Sequence, residues 1–183
     1  MARATPIGLS LVGYRGAGKS TIGPIVAERL GLPFLDVDQE LEARVGRSIR
    51  AIFAEQGEAA FRDYEEATLR ALTEQGPSVL ATGGGAVLRE ANRQVLRRFG
   101  PVIWLSARPE VLAQRLRADR QERPALTASG TLAEVAAVLE TRLPFYREAA
   151  DVTIDTTDRS PAEVAEEVVR LWRGRTREAG GMA

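Results

Sequence analysis

Short runs of consecutive apolar residues alternate along this chain with longer stretches whose apolar positions recur at helical spacing. Residues 7–12 read as a buried strand. Residues 21–30 follow as a helix with Ile22, Ile25, Val26 and Leu30 on one side. A second short strand spans 33–38, and polar helical stretches cover 39–44, 48–56 and 58 to about 75. Residues 78–82 form a third strand, stopped by Gly83, Gly84 and Gly85. A helix over 90–99, a strand over 101–105 and a helix from Pro109 to about 118 come next. Segment 119–130 is polar, broken by Pro124, and expected to be exposed and mobile. Thr131 with Glu134 starts a helix through Leu143, 151–154 is the fifth strand, and Ser160 to Glu163 caps a last helix ending near Arg173. The glycine-rich, charged tail 174–183 has no period and is expected to be disordered.

Strands alternating with helices predict βαβ units, hence an α/β fold on a five-stranded parallel sheet. There is no internal repeat and no linker, so 1–173 reads as one domain. The roughly 40 residues between strands two and three exceed what a crossover needs, so about 38–75 is expected to form a small helical insertion.

Lys plus Arg and Asp plus Glu both total 25, so net charge is zero. That gives no electrostatic reason to expect nucleic acid or an anionic membrane as partner. The absence of Cys excludes disulfides and thiolate metal sites, and the absence of His removes the commonest general base. Any chemistry has to run on carboxylates, Lys, Arg, backbone amides and a borrowed metal ion. No apolar run reaches the ~18 residues of a membrane span, and the first residues lack the apolar core of a secretory signal. The expectation is a cytoplasmic protein.

Gly13-Tyr14-Arg15-Gly16-Ala17-Gly18-Lys19-Ser20 fits G-x-x-x-x-G-K-[ST], between a strand and a helix as that pattern requires. Such a loop cradles the phosphates of a nucleoside triphosphate. Backbone amides and a helix start face the anion, Lys19 reaches the β- and γ-phosphates, and Ser20 can ligate Mg²⁺. Asp36 and Asp38, two apart on the second strand, are expected to share a face at its carboxyl end. One could hold Mg²⁺ through water and the other orient a substrate hydroxyl; alternatively Asp38 only caps the next helix. The triple glycine at the third strand's end lets backbone approach a ligand, and Asp36 substitutes for the acid missing there. Arg62 and Arg142 each suit capture of a carboxylate or phosphate, or are exposed helix charges. Glu65 and Glu66 could pair with Arg62 for a few tenths of a kcal/mol. Arg123 could close over the phosphates, or be a solvated loop charge.

Together these motifs resemble the shikimate kinase family of P-loop small-molecule and nucleoside monophosphate kinases. The resemblance rests on residues 13–23, Asp36-Val37-Asp38, Phe61-Arg62-Asp63-Tyr64-Glu65, Ala81-Thr82-Gly83-Gly84-Gly85, Arg123-Pro124, Arg142-Leu143-Pro144-Phe145-Tyr146 and 150–154. It implies a three-layer P-loop kinase fold with a substrate-binding insertion at about 38–75 and a lid at about 117–130. It implies ATP and Mg²⁺ as co-substrate and metal, shikimate as acceptor at its 3-hydroxyl, and a monomer. By motif match, Gly16, Ala17, Gly18, Lys19, Ser20 and Thr21 would hold the phosphates. Ser20 and Asp36 would serve the metal; Asp38, Arg62, Gly83, Gly84, Gly85 and Arg142 would hold shikimate. Lys19, Asp38 and Arg123 would be catalytic, and Arg123 and Arg159 would lie at the nucleotide. Two departures stand out: Ala125-Leu126 where the family more often has two leucines, and a tail longer than the family needs. The rival readings are a gluconate or nucleotide kinase of the same group, and a non-catalytic regulatory copy of the fold.

Overall fold

Alternation along the strands explains the layering. The structure, a computed structural model, describes residues 8–119 and 132–180. In β1 (Leu9–Val12), Leu9 and Leu11 face one side of the sheet and Val12 the other. In β4 (Val102–Ser106), Ile103 and Leu105 join the first side, Val102 and Trp104 the second. Both faces of a parallel sheet are therefore apolar and covered. The first core packs against α1 (Lys19–Leu30), α5 (Pro109–Asp119) and α7 (Pro161–Gly180). The second packs against α3 (Ile49–Thr73), α4 (Glu90–Phe99) and α6 (Leu132–Ala149). With β2 (Phe34–Asp36), β3 (Val79–Ala81) and β5 (Val152–Asp155) the sheet has five parallel strands in the order β2-β3-β1-β4-β5. The carboxyl end of β1 thus lies between those of β3 and β4, where such sheets bind ligands.

Four boundaries differ from the sequence expectation. β2 stops at Asp36, and α2 (Val37–Val45) begins at once, so Asp38 sits in a first helical turn rather than on a strand. Asp36 is the cap: its Oδ1 accepts from the amides of Asp38 (3.1 Å) and Gln39 (3.3 Å). α6 continues past Leu143 through Pro144 to Ala149. An interior proline costs roughly 3 kcal/mol, and the burial of Tyr146 and Ala149 beyond it offsets that. Finally, α7 runs to Gly180, beyond Arg173, and Arg175 pairs with Asp151 at 3.3 Å, tying the start of the tail to β5. The segment holding Arg123, Pro124 and Thr131 lies outside the described residues.

The insertion between β2 and β3 carries a small core of its own, Leu41, Ile52 and Phe61. Its two expected helices after Ser48 are both present as the two arms of α3, which is kinked at Gly57 (φ 81°, ψ 179°). Only glycine adopts that conformation without strain. Among the described residues no helix is long and apolar enough to cross a membrane.

Candidate active site

The P-loop joins β1 to α1. Gly18 caps α1 in the left-handed region (φ 99°), which turns the first helical amides toward the loop's concavity. Lys19 is buried, and its Nζ donates to the carbonyls of Gly13 (2.6 Å) and Tyr14 (3.0 Å). Burial brings its pKa down to about 8, partly opposed by Asp38 and Asp36 and reinforced by Arg15 and Arg142. Lys19 is also the only lysine in the chain; every other basic side chain is arginine. Ser20 Oγ donates to Asp36 Oδ2 at 3.0 Å. A hydroxyl and a carboxylate side by side are hard oxygen donors that fit Mg²⁺, which takes one or two protein ligands with the rest from phosphate and water.

The triple glycine is where the remaining residues meet. A Cβ on Gly83 would lie 2.7 Å from Asp38 Oδ1 and 2.9 Å from Glu65 Oε1. One on Gly85 would lie 2.3 Å from Arg62 Nη2. One on Gly84 would lie 3.4 Å from Arg142 Nη1 and 3.5 Å from the Arg15 amide nitrogen. Three missing side chains therefore make room for two acids, two guanidiniums and the P-loop backbone. Asp38, Arg62 and Arg142 thus all lie against the triple glycine, Asp38 arriving there from a helix.

Electrostatics distinguish the two arginines. Arg62 Nη1 binds Glu65 Oε2 (2.7 Å), and its other face binds Glu58 (3.1 Å). Burial works against the Arg62 charge, but these acids outweigh it and hold the guanidinium more basic than usual. Arg142 lies over the Tyr14 ring, 5.7 Å from its centroid, and no carboxylate among the described residues forms an ion pair with it. Burial pushes the Asp38 carboxyl up, with Asp36 adding to the effect and Lys19 opposing it. Burial likewise raises Glu65, against the pull of Arg62. Asp38 Oδ1 and Glu65 Oε1 are buried with no hydrogen-bond partner in the structure. A buried acceptor without a donor is costly, and a hydroxylated ligand would supply one.

Three residues escaped the sequence reading. Glu65 is fully buried rather than a surface partner of Arg62, while Glu66 turns instead to Arg89 and Arg70. The signal was available: Phe61, Glu65, Thr68, Leu69 and Leu72 share one helical stripe, so an acid lay among core positions. Arg115 of α5 donates to the Gly16 carbonyl (3.1 Å) and to Thr156 Oγ1 (3.0 Å) and O (2.8 Å), bracing the P-loop against the β5–α7 connection. Its partners lie 99 and 41 positions away, which no local pattern reveals. Tyr146 donates to the Gly84 carbonyl at 2.5 Å. Arg159 pairs with Glu167 of α7 at 2.5 Å.

A shikimate kinase family model matches residues 15–173. This chain belongs to the shikimate kinase family. It is 50% identical to the shikimate kinase of Thiobacillus denitrificans over 84% of both chains. It is 44% identical to the shikimate kinase of Rhodopirellula baltica over 90% of both. Among solved structures, shikimate kinase from Acinetobacter baumannii in complex with shikimate superposes with a TM-score of 0.85. That pair is 38% identical over 93% of this chain and 94% of that one. The protein is thus a small-molecule kinase of the shikimate kinase family with the P-loop fold.

Proposed function

We infer that this protein transfers the γ-phosphoryl group of ATP to the 3-hydroxyl of shikimate, giving shikimate 3-phosphate and ADP. One observation carries the assignment of the acceptor site: Asp38, Arg62 and Arg142 meet at the triple glycine beside the P-loop. An acceptor with one carboxylate and several hydroxyls suits that set. Arg142, with no acid of its own among the described residues, is the primary anchor for the carboxylate. Arg62, already bracketed by Glu58 and Glu65, orients it. Amides of Gly83 to Gly85 line the hollow.

On the nucleotide side, Gly16 to Thr21 and Lys19 hold the phosphates. Arg123 would add positive charge at the phosphates, and Arg159 would serve the adenine. In the reaction a bond forms from the hydroxyl oxygen to the γ-phosphorus, and the bond to the β–γ bridging oxygen breaks. The hydroxyl proton leaves. Charge gathers on the equatorial phosphoryl oxygens, so positioning and fixed positive charge supply most of the catalysis. The Lys19 ammonium provides such charge. Asp38 orients the hydroxyl and takes its proton late, a role that suits a carboxyl whose burial favours the neutral form. Ser20 and, through water, Asp36 would hold Mg²⁺, which when bound neutralises phosphate charge. We take the enzyme to work as a cytoplasmic monomer in aromatic amino-acid biosynthesis.

An ATP-coupled assay with shikimate, gluconate, AMP and CMP as separate acceptors tests the assignment. Turnover is expected with shikimate alone. Turnover confined to a nucleotide or to gluconate overturns it.

A further inference from the structure

Tyr146 is fully buried on α6, its ring stacked against Trp104 with centroids 5.4 Å apart and planes 13° apart. A buried phenol needs a partner for its hydroxyl, and this one donates to the Gly84 carbonyl at 2.5 Å. That bond joins α6 to the middle of the triple glycine. Arg142 stands four positions earlier on the same helix, hence on the same face, and its charge bears on the Tyr146 hydroxyl. Its Nη1 lies 3.4 Å from where a Gly84 Cβ would be. Gly84, Arg142 and Tyr146 therefore form a closed triangle, two sides of which the helix and the hydroxyl bond set.

Glycine at 84 has no side chain with which to fix its own peptide, and backbone freedom is greatest there. A bond to its carbonyl supplies the missing constraint. Because the peptide is planar and trans, holding the Gly84 oxygen toward α6 turns the Gly85 amide hydrogen to the opposite side. The ring stacking on Trp104 in turn fixes where the hydroxyl stands.

We propose that Tyr146 is a positioning residue for the acid acceptor: its hydroxyl sets the Gly84 peptide relative to the Arg142 guanidinium, so acceptor affinity depends on it and nucleotide affinity does not. The inference rests on the reading that Arg142 and Gly84 hold the acceptor. Tyr146 reaches neither substrate, and it acts through those two groups.

Tyr146→Phe removes the hydroxyl and keeps the ring. We expect the KM for shikimate to rise about tenfold, the KM for ATP to stay within about twofold and kcat within about threefold, the pattern of a lost binding constraint. In an Arg142→Ala background the same substitution should have a clearly smaller effect, because the two act as a unit. Equal changes in both KM values, an unchanged KM for shikimate, or full additivity with Arg142→Ala overturns the proposal. If Tyr146→Phe does not fold, Trp104→Phe loosens the ring while keeping the hydroxyl. It should raise the KM for shikimate selectively, and an equal effect on ATP counts against the proposal. Arg142→Ala alone separates the two layers. If it leaves the KM for shikimate unchanged, the acceptor-site reading fails; if it raises that KM while Tyr146→Phe does not, only the role of Tyr146 fails.

Discussion

Lys19 stands out at the scale of single residues because it is chemically alone. A chain whose other basic side chains are all arginines has one side-chain ammonium, at the P-loop, with its pKa brought down to about 8 by burial. An ammonium is a compact point charge whose pKa yields to burial, unlike a guanidinium. The sole lysine gives one side-chain amine signal in a ¹⁵N-lysine NMR titration. We predict a midpoint near 8 in the free enzyme and a clear rise on adding ADP, since phosphate favours the charged form. The KM-normalised rate for ATP should fall above the free-enzyme midpoint. A midpoint above 10 in the free enzyme contradicts the buried position of this group. The P-loop was legible because its function is carried by consecutive residues. The acids were legible only in part. The strand alternation that singled out Asp36 and Asp38 is absent. Instead Asp36 caps the helix that starts at Val37, and Asp38 enters from that helix's first turn.

Elements decide what the triple glycine does. It was visible in the sequence as a strand end needing close backbone approach, but what approaches could not be read from it. Glu65 and Arg62 come from α3, Asp38 from α2 and Arg142 from α6. Gly85→Ala tests this meeting point. Its new Cβ would press on the Arg62 guanidinium, 2.3 Å from Nη2, and push it out of its place between Glu58 and Glu65. We predict a melting temperature lowered by several degrees, because Glu65 loses its buried partner, and a KM for shikimate raised about tenfold or more, roughly one lost charged hydrogen bond. A matching loss of ATP affinity means that the glycine serves packing alone. Gly57 makes a different prediction. Nothing lies near its missing Cβ, so Gly57→Ala meets only backbone strain at φ 81°. It should cost about 1–3 kcal/mol in chemical denaturation, and a neutral result means that α3 can straighten. The sequence marked a boundary at Gly57 correctly, whereas Pro144 marked none. Tertiary burial of Tyr146 beyond the proline overrides the local preference to stop.

For the molecule as a whole, the strand order puts β1 between β3 and β4, so the P-loop and the triple glycine emerge side by side. Strand existence and parallel direction followed from apolar runs separated by helices. The order of strands did not, since it depends on contacts between residues about 70 to 90 positions apart. The insertion's separate small core lets α2 and the first part of α3 stand apart from the main sheet. That leaves Asp38 and Arg62 at the junction of the two cores, beside the glycines. A two-substrate site at such a junction needs no residue to reach far.

The most direct measurement is a crystal structure of the protein with shikimate and ADP bound. The account predicts the acceptor's carboxylate on Arg142 and Arg62, a hydroxyl on Asp38, and the ring against Gly83 to Gly85, opposite phosphates held by the P-loop. Shikimate bound elsewhere, or seated there with its carboxylate turned away from both arginines, contradicts it.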